Sequence, residues 1–427
     1  MKQQSGKNYA WIWIPGLFAS EAVVSATVTY VTLLMFVQFG ASYFTASTLS
    51  ALLLLPSVMK QKVLFKNKRN IHLKRFTIAM QVCLFIALLI TAFTIKHSKH
   101  GLLLPFICIL AVAVINALNE KSVANYYNNQ LDRKQQNILG NYKFVTSQIS
   151  FIVTYGILII FVGLHEIVFR NIRLAWAIEF YMIAGVLLLL LLANLILMKR
   201  PSPNNAVNYR DIYPNANHRK IRARNIRFLM IISMLLMPQA LLFTTRVFFL
   251  MAHESDGGLG CTLQDVGFAQ GTIGVIAFAI GTFSGQKLIR RFGSNKMFWI
   301  LILPLIISPI FYLIMNFVMI KQMLYICCMT FAAQFCFGFG LNICVVFINR
   351  STDILEDNII NLIHNPIVVT TMFIPVACSG LLLQICGFKL FFIINALSAL
   401  ASIITLASNF KFINRHIINY KRISTVK

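Results

Sequence analysis

A single carboxylate, Glu21, interrupts the apolar run GLFASEAVVSATVTY (Gly16–Tyr30), and no other charged residue lies between Lys7 and Lys60. An ionisable side chain near the middle of a bilayer costs on the order of 2.5–3.5 kcal/mol on insertion scales, so it persists where it has a partner or a task. Glu21 is either a carboxyl group that exchanges a proton or faces a solute, or a neutral group hydrogen-bonded to a neighbouring helix. Ser25 follows it by four residues and shares its helix face. Further polar side chains fall inside apolar stretches: Asn116, Glu120, Glu179, Gln239, Arg246, Gln270 and Gln334. An amide both donates and accepts, which suits a sugar hydroxyl or a peptide bond, although any one of them serves equally to bond two helices together. Arg246 would either snorkel to a membrane interface, near Glu254 and Asp256, or receive an anion at the outer mouth. His364 reads as a pH-sensing or a packing histidine.

These residues need helices to position them. The chain has 427 residues, of which 58% are hydrophobic and 12% charged, with a mean hydropathy of +0.75. A soluble domain carries roughly a quarter charged residues, so the composition is that of a multi-pass membrane protein. A spanning helix takes about 20 apolar residues. Such runs occur at 12–37, 43–65, 76–95, 102–125, 142–163, 174–198, 227–251, 262–289, 296–317, 323–348, 358–385 and 388–410. The longest polar interruption, 199–226, contains Pro201, Pro203 and Pro214 and a basic cluster. It reads as a cytoplasmic linker between an N-terminal six-helix bundle (1–198) and a C-terminal one with a basic tail (227–427).

At about 1.5 Å per residue, Glu21 lies roughly 15 Å into the first helix, near the midplane. Glu120 lies late in the fourth helix beside Lys121 and is expected near the cytoplasmic boundary. Glu179 opens the sixth helix and is expected at the interface. Basic residues set the orientation. Lys60 to Arg75, Arg133, Lys134, Lys199 to Arg227, Lys287 to Lys296, Arg350 and the C-terminal tail share one side. Lys96, Lys99, Arg170, Arg173, Lys321 and Lys389 lie on the other. Both termini are therefore expected in the cytoplasm and the chain in the cytoplasmic membrane. A basic inner face opposite anionic lipid accounts for the net charge of +26 without a nucleic-acid partner.

Twelve helices in two halves joined by a long loop are the layout of the major facilitator superfamily. The segment GQKLIRRFGSNK (Gly285–Lys296) resembles the superfamily's loop signature, with Gly285, Arg291, Gly293 and Lys296 in register and Arg290 standing where an acid is usual. The resemblance implies that this loop pins the cytoplasmic helix ends and gates them. More specifically, WIPGLFASE (Trp13–Glu21), LDRKQQNILG (Leu131–Gly140), GGLGCTLQDVGFAQGTIGVIA (Gly257–Ala277) and QFCFGFG (Gln334–Gly340) resemble the anhydromuropeptide permease group of that superfamily, especially its Bacteroidetes relatives. That group has acids where this chain has Ala124, Gln239 and Ala333, while Glu120 keeps one. The resemblance implies that the first, fourth, seventh and tenth helices line a central cavity, which puts Glu21, Ser25, Asn116, Glu120, Gln239 and Gln334 beside it.

The expected function is secondary transport of a small solute, a muropeptide or amino sugar by resemblance, by alternating access and with proton coupling through Glu21. The replaced acids leave two other readings: a transporter fold turned sensor or partner of a larger system, or a multidrug or lipid exporter. Nothing in the sequence suggests an enzyme. No GxxxxGK[ST], HExxH or GxSxG motif occurs. The nine cysteines lack ligand spacing, so neither metal nor other cofactor is expected. The expected partners are membrane lipids, the solute and protons, with the chain acting as a monomer.

Overall fold

In hydrocarbon every backbone N–H and C=O has to be satisfied within the chain, so long apolar runs become helices. The computed structural model describes residues 10–63, 73–98, 101–131, 133–198, 218–293, 296–352 and 366–413. The first span joins α1 (Ala10–Ala26), a π-helical segment π1 (Thr27–Val31) and α2 (Thr32–Gln38). It is followed by α3 (Tyr43–Val63), α4 (Leu73–His97) and α5 (Leu103–Gln130). Next come α6 (Arg133–Phe151), π2 (Ile152–Ile157), α7 (Leu158–Phe169) and α8 (Ile172–Leu197). The remainder comprises α9 (His218–Met251), α10 (Leu263–Val266), π3 (Gly267–Gly274), α11 (Val275–Phe292), α12 (Phe298–Val318), α13 (Met323–Thr352), α14 (Pro366–Ser408) and the short α15 (Phe410–Ile413). Among the described residues, ten helices are long and apolar enough to cross a membrane, and a shorter apolar helix covers Tyr43–Ser57.

The last of those ten is broken. Gly387 sits at φ 71°, ψ 169°, outside the helical region. The neighbours along α9 show what the break does. Ser379 Oγ lies 2.7 Å from Thr244 Oγ1, and Phe388 packs on Phe249 further along. Ser402 Oγ then donates to Met234 O, well back towards the start of α9. The chain therefore doubles back at Gly387, between the two runs that the sequence separates at 385 and 388.

Elsewhere the helices run beyond their apolar cores. α5 continues to Gln130 rather than stopping near 125, and α6 begins at Arg133 rather than 142. The polar stretch LDRKQQNILG is mostly helical, rich in good helix formers, and tied down by Tyr127 Oη donating to Gln136 O and Gln136 Nε2 donating to Leu131 O. Of the expected linker, 199–217 lies outside the described residues, while 218–226 form the first turns of α9.

Helices α1, α2 and α4 to α8 pack mainly on one another, with α4 between α5 and α8 and α1 against α6 and α8, while α3 packs chiefly on α14 of the second group. A buried polar ladder binds them: Asn194 Nδ2 donates to Gly16 O and Gln81 Oε1, and Gln81 Nε2 donates to Ser20 Oγ. In the second group α13 packs on α11 and α12, and α14 on α9 and α12. Small residues permit these approaches, as they do where lipid supplies no hydrophobic drive between helices. A Cβ on Gly281 or Gly338 would press on the facing backbone of α13 or α11.

The two groups meet tightly towards the end where α2 finishes, termed the far end here. A Cβ on Gly271 in π3 would lie 2.2 Å from Tyr155 O in π2, and one on Gly380 would lie 2.0 Å from Tyr43 O in α3. Further along the seam α3 stays packed on α14, with Ala51, Ala240 and Val376 in one cluster, and the Phe144 ring of α6 lies 5.2 Å from that of Phe283 in α11.

The Gly271 approach yields a prediction. Gly271→Ala should lower the thermal midpoint of the purified protein by several degrees, because the π2–π3 contact has to part. Gly185→Ala in α8, with nothing within 4 Å, should shift stability by no more than about 1 kcal/mol. A thermal melt in detergent compares the two, and equal shifts would rule out a close-approach role for Gly271.

Candidate central cavity

Both groups of helices contribute to one cavity of about 240 Å³. From α1 and π1 come Glu21, Ser25, Thr29 and Tyr30, spaced so that one helix face is presented over three turns. Across the seam stand Gln239 and Arg246 of α9, Gln270 of π3 and Gln334 of α13. All three π-helical segments reach the cavity, through Tyr30, Tyr155 and Gln270. A π turn carries one residue more than an α turn and so re-aims the side chains that follow it.

Glu21 is 8% exposed and lines the cavity. Behind it, Ser25 Oγ donates to Glu120 Oε1 at 3.1 Å, and Asn116 Nδ2 donates to both Ser25 Oγ and Glu120 Oε1 at 3.1 Å. Two carboxyl side chains are thus linked to one face of α1, Glu21 directly and Glu120 through Ser25. Lys143 of α6 is buried with its ammonium 4.3 Å from the Phe18 ring centroid, and Phe18 precedes Glu21 by one helical turn. On the opposite wall Gln239 Nε2 donates to Leu305 O and Gln270 Nε2 to Tyr312 Oη.

Several expected placements are corrected. Glu120 is not at a helix end: α5 continues ten residues past it, and the carboxylate is 4% exposed. Asn116 does not line the cavity but holds Ser25 and Glu120 behind its wall. Arg246 does not snorkel. It is 9% exposed, lines the cavity, and holds its guanidinium 5.5 Å from the Tyr30 ring centroid and 6.0 Å from that of Phe243. The chain after α9 folds back on the end of that helix, with Leu259 N–H donating to Phe249 O and Cys261 N–H to Leu250 O. Glu179 is not interfacial but fully buried, and neither carboxyl oxygen has a partner among the described residues. Glu21, Ser25, Gln239, Gln270 and Gln334 line the cavity. His364 lies outside the described residues.

In the loop signature, Gly285 seats α11 against α13, since a Cβ there would meet the Asn342 amide at 2.4 Å. Gly293 caps α11 with φ 82°, its N–H donating to Ile289 O. Arg290, Arg291 and Lys296 are exposed. Sequence reasoning misses Tyr30, Tyr155 and Lys143. Tyr30 carries a weak signal as the end of the Glu21, Ser25, Thr29 series, but Tyr155 and Lys143 carry none, because their approach depends on packing between helices.

No family model matches the chain, and no curated protein matches it. Solved structures do. The nucleoside transporter NupG aligns over 96% of this chain and 99% of its own, with a TM-score of 0.63 and 13% identity. A bacterial homologue of the iron transporter ferroportin, in an inward-facing state, aligns over 96% and 99%, with a TM-score of 0.62 and 13% identity. A bacterial homologue of the human lysosomal transporter Spinster, inward-facing and unoccupied, aligns over 94% and 99%, with a TM-score of 0.53 and 12% identity. The chain therefore shares the all-helical, multi-pass membrane fold of these solved transporters.

The hydrogen bonds behind the cavity wall give a second prediction. Asn116→Leu preserves volume but withdraws two donors from Ser25 and Glu120, and should cost about 1–3 kcal/mol of stability. Gln148→Leu, on a partly exposed cavity position, should stay within about 0.5 kcal/mol. Unfolding in mixed micelles measures both, and an Asn116 variant as stable as the parent would dissolve the network's structural role.

Proposed function

We propose that this chain is a secondary transporter of the major facilitator superfamily, of the anhydromuropeptide permease type, carrying a small polar solute across the cytoplasmic membrane by alternating access. Counting the short helix Tyr43–Ser57 and the reversal at Gly387, the chain makes twelve passes, six on each side of the 199–226 segment, with both termini in the cytoplasm. The observation that carries this reading is the shared cavity. Its polar side chains come from both groups of helices, so a bound solute touches both walls, and rocking of one group against the other would change its access. The far-end backbone contacts at Gly271 and Gly380 fit a state closed on the outside. The amides Gln239, Gln270 and Gln334 suit an amino sugar or peptide-bearing body.

Proton coupling runs through Glu21 in this reading, with Glu120 held one hydrogen bond behind Ser25. A carboxyl that binds a proton on the outside and releases it inside makes uptake fall as external pH rises, because the protonated carrier becomes scarcer. Arg290, Arg291 and Lys296 would act at the cytoplasmic helix ends as gating contacts. The chain works as a monomer among lipids.

Proteoliposomes test this directly. Labelled anhydromuropeptide should accumulate under an imposed inward proton gradient, and Glu21→Gln should flatten the pH dependence, since the amide imitates the protonated carboxyl at every pH. Full pH dependence in that variant would remove Glu21 from the coupling. Binding without uptake or counterflow would favour a sensor, and proton flux stimulated by an apolar cation or lipid would favour an exporter.

A further inference from the structure

We infer that the cavity selects a solute bearing an oxyanion, a carboxylate or a phosphate ester on an otherwise neutral polar body, and that Arg246 receives it. This rests on the transporter reading for what is carried, and on Arg246 alone for what is bound. The guanidinium is nine-tenths buried, and its Nε has no hydrogen-bond partner among the described residues. No ion pair joins it to a carboxylate of those residues. A cation removed from water and left without a counter-charge is costly, so such a group is kept where something else neutralises it.

The rings around it say where that something sits. The Tyr30 and Phe243 rings flank the guanidinium carbon, the Tyr30 side chain also hydrogen-bonds the guanidinium, and Tyr30 stacks on Tyr155 with centroids 4.7 Å apart. Aromatic rings and a neutral phenol attract the cation without neutralising it, and the N–H groups of its fork that Tyr30 does not take, the unpartnered Nε among them, suit an oxyanion. The fork belongs to a cavity-lining residue in a cavity large enough for a small solute. Around it, Gln239 and Gln270 already donate through Nε2 to Leu305 O and Tyr312 Oη. Their carbonyl oxygens are left to accept from hydroxyl or amide groups on the solute's neutral portion.

Arg246 and Tyr30 also come from opposite groups of helices. An anion that engages the fork binds at the seam itself, where the two walls have to separate for the cavity to open outward.

Two matched pairs of probes isolate the charge: N-acetylmuramic acid against N-acetylglucosamine, and glucose 6-phosphate against glucose. Ligand-induced thermal shift of the full chain in detergent measures apparent affinity without requiring transport. In at least one pair the anion should half-saturate at a concentration about tenfold below its neutral partner. The pair that responds distinguishes carboxylate from phosphate. Arg246→Gln should abolish the preference and Arg246→Lys should keep part of it, since lysine retains the charge but loses the planar fork. Absence of preference in both pairs for the native chain overturns the inference, whatever the variants do, and so does a preference that survives in Arg246→Gln. Anion preference without uptake leaves the inference standing and removes the transporter reading. Uptake of a neutral sugar, unchanged in Arg246→Gln, does the reverse.

Discussion

A charge that cannot reach water has to be met inside the protein, and at the centre of this chain that demand falls on Arg246. Its helix ends five residues later, the segment beyond folds back on Phe249 and Leu250, and the side chain is 9% exposed. It turns into the cavity, against the Tyr30 ring of the other group of helices. Tyr30 can stand there because π1 displaces it from the position a regular α turn would give, and Tyr155 supports it because π2 does the same on α6. The aromatic wall, the polar opening and the seam between the two groups thus meet around one cation.

The same seam depends on backbone proximity. Where π2 meets π3, Gly271 lies so close to Tyr155 O that no side chain fits between them. Such contact is open to small residues alone, and it needs no polar group that would be costly in lipid. Contacts of this kind hold through shape and a large number of weak attractions, so they can part and reform without leaving a buried charge unpaired. That suits the rocking of the two groups proposed above.

Much of the fold was legible because lipid leaves few alternatives. Long apolar runs had to be helices, and the break expected between 385 and 388 is the reversal at Gly387. Depth was less legible. Counting residues from the start of an apolar run assumes that the helix ends with it, and α5 continues past Glu120; for Arg246 the end of α9 was right, but depth alone does not say that the side chain turns into the cavity. Glu179 shows another limit, since a carboxyl near a helix start looks interfacial until the packing of α4 and α8 buries it. The polar residues of the cavity were found by type and periodicity, because an amide in an apolar helix stands out. The aromatic partners were not, because a tyrosine in a membrane helix is unremarkable until its neighbour is known.

The departures from the permease pattern acquire a physical sense from this geometry. Where the group it resembles has acids, this chain has Gln239, on the cavity wall that also carries Arg246, and Ala333, buried in the core beside the lining residue Gln334. An acid at 239 would stand on the same side of the cavity as the guanidinium and would compete with a solute for it. With an amide there, the carboxyl side chains associated with the cavity are Glu21 on the α1 wall and Glu120 of α5 behind it. The acids then stand on one group of helices and the cation on the other, with no ion pair between Arg246 and a described carboxylate to hold the seam shut. On the proposed reading, a proton taken up at Glu21 and an anion received at Arg246 would each change the charge at this one seam, and so would bias a single movement of the two groups.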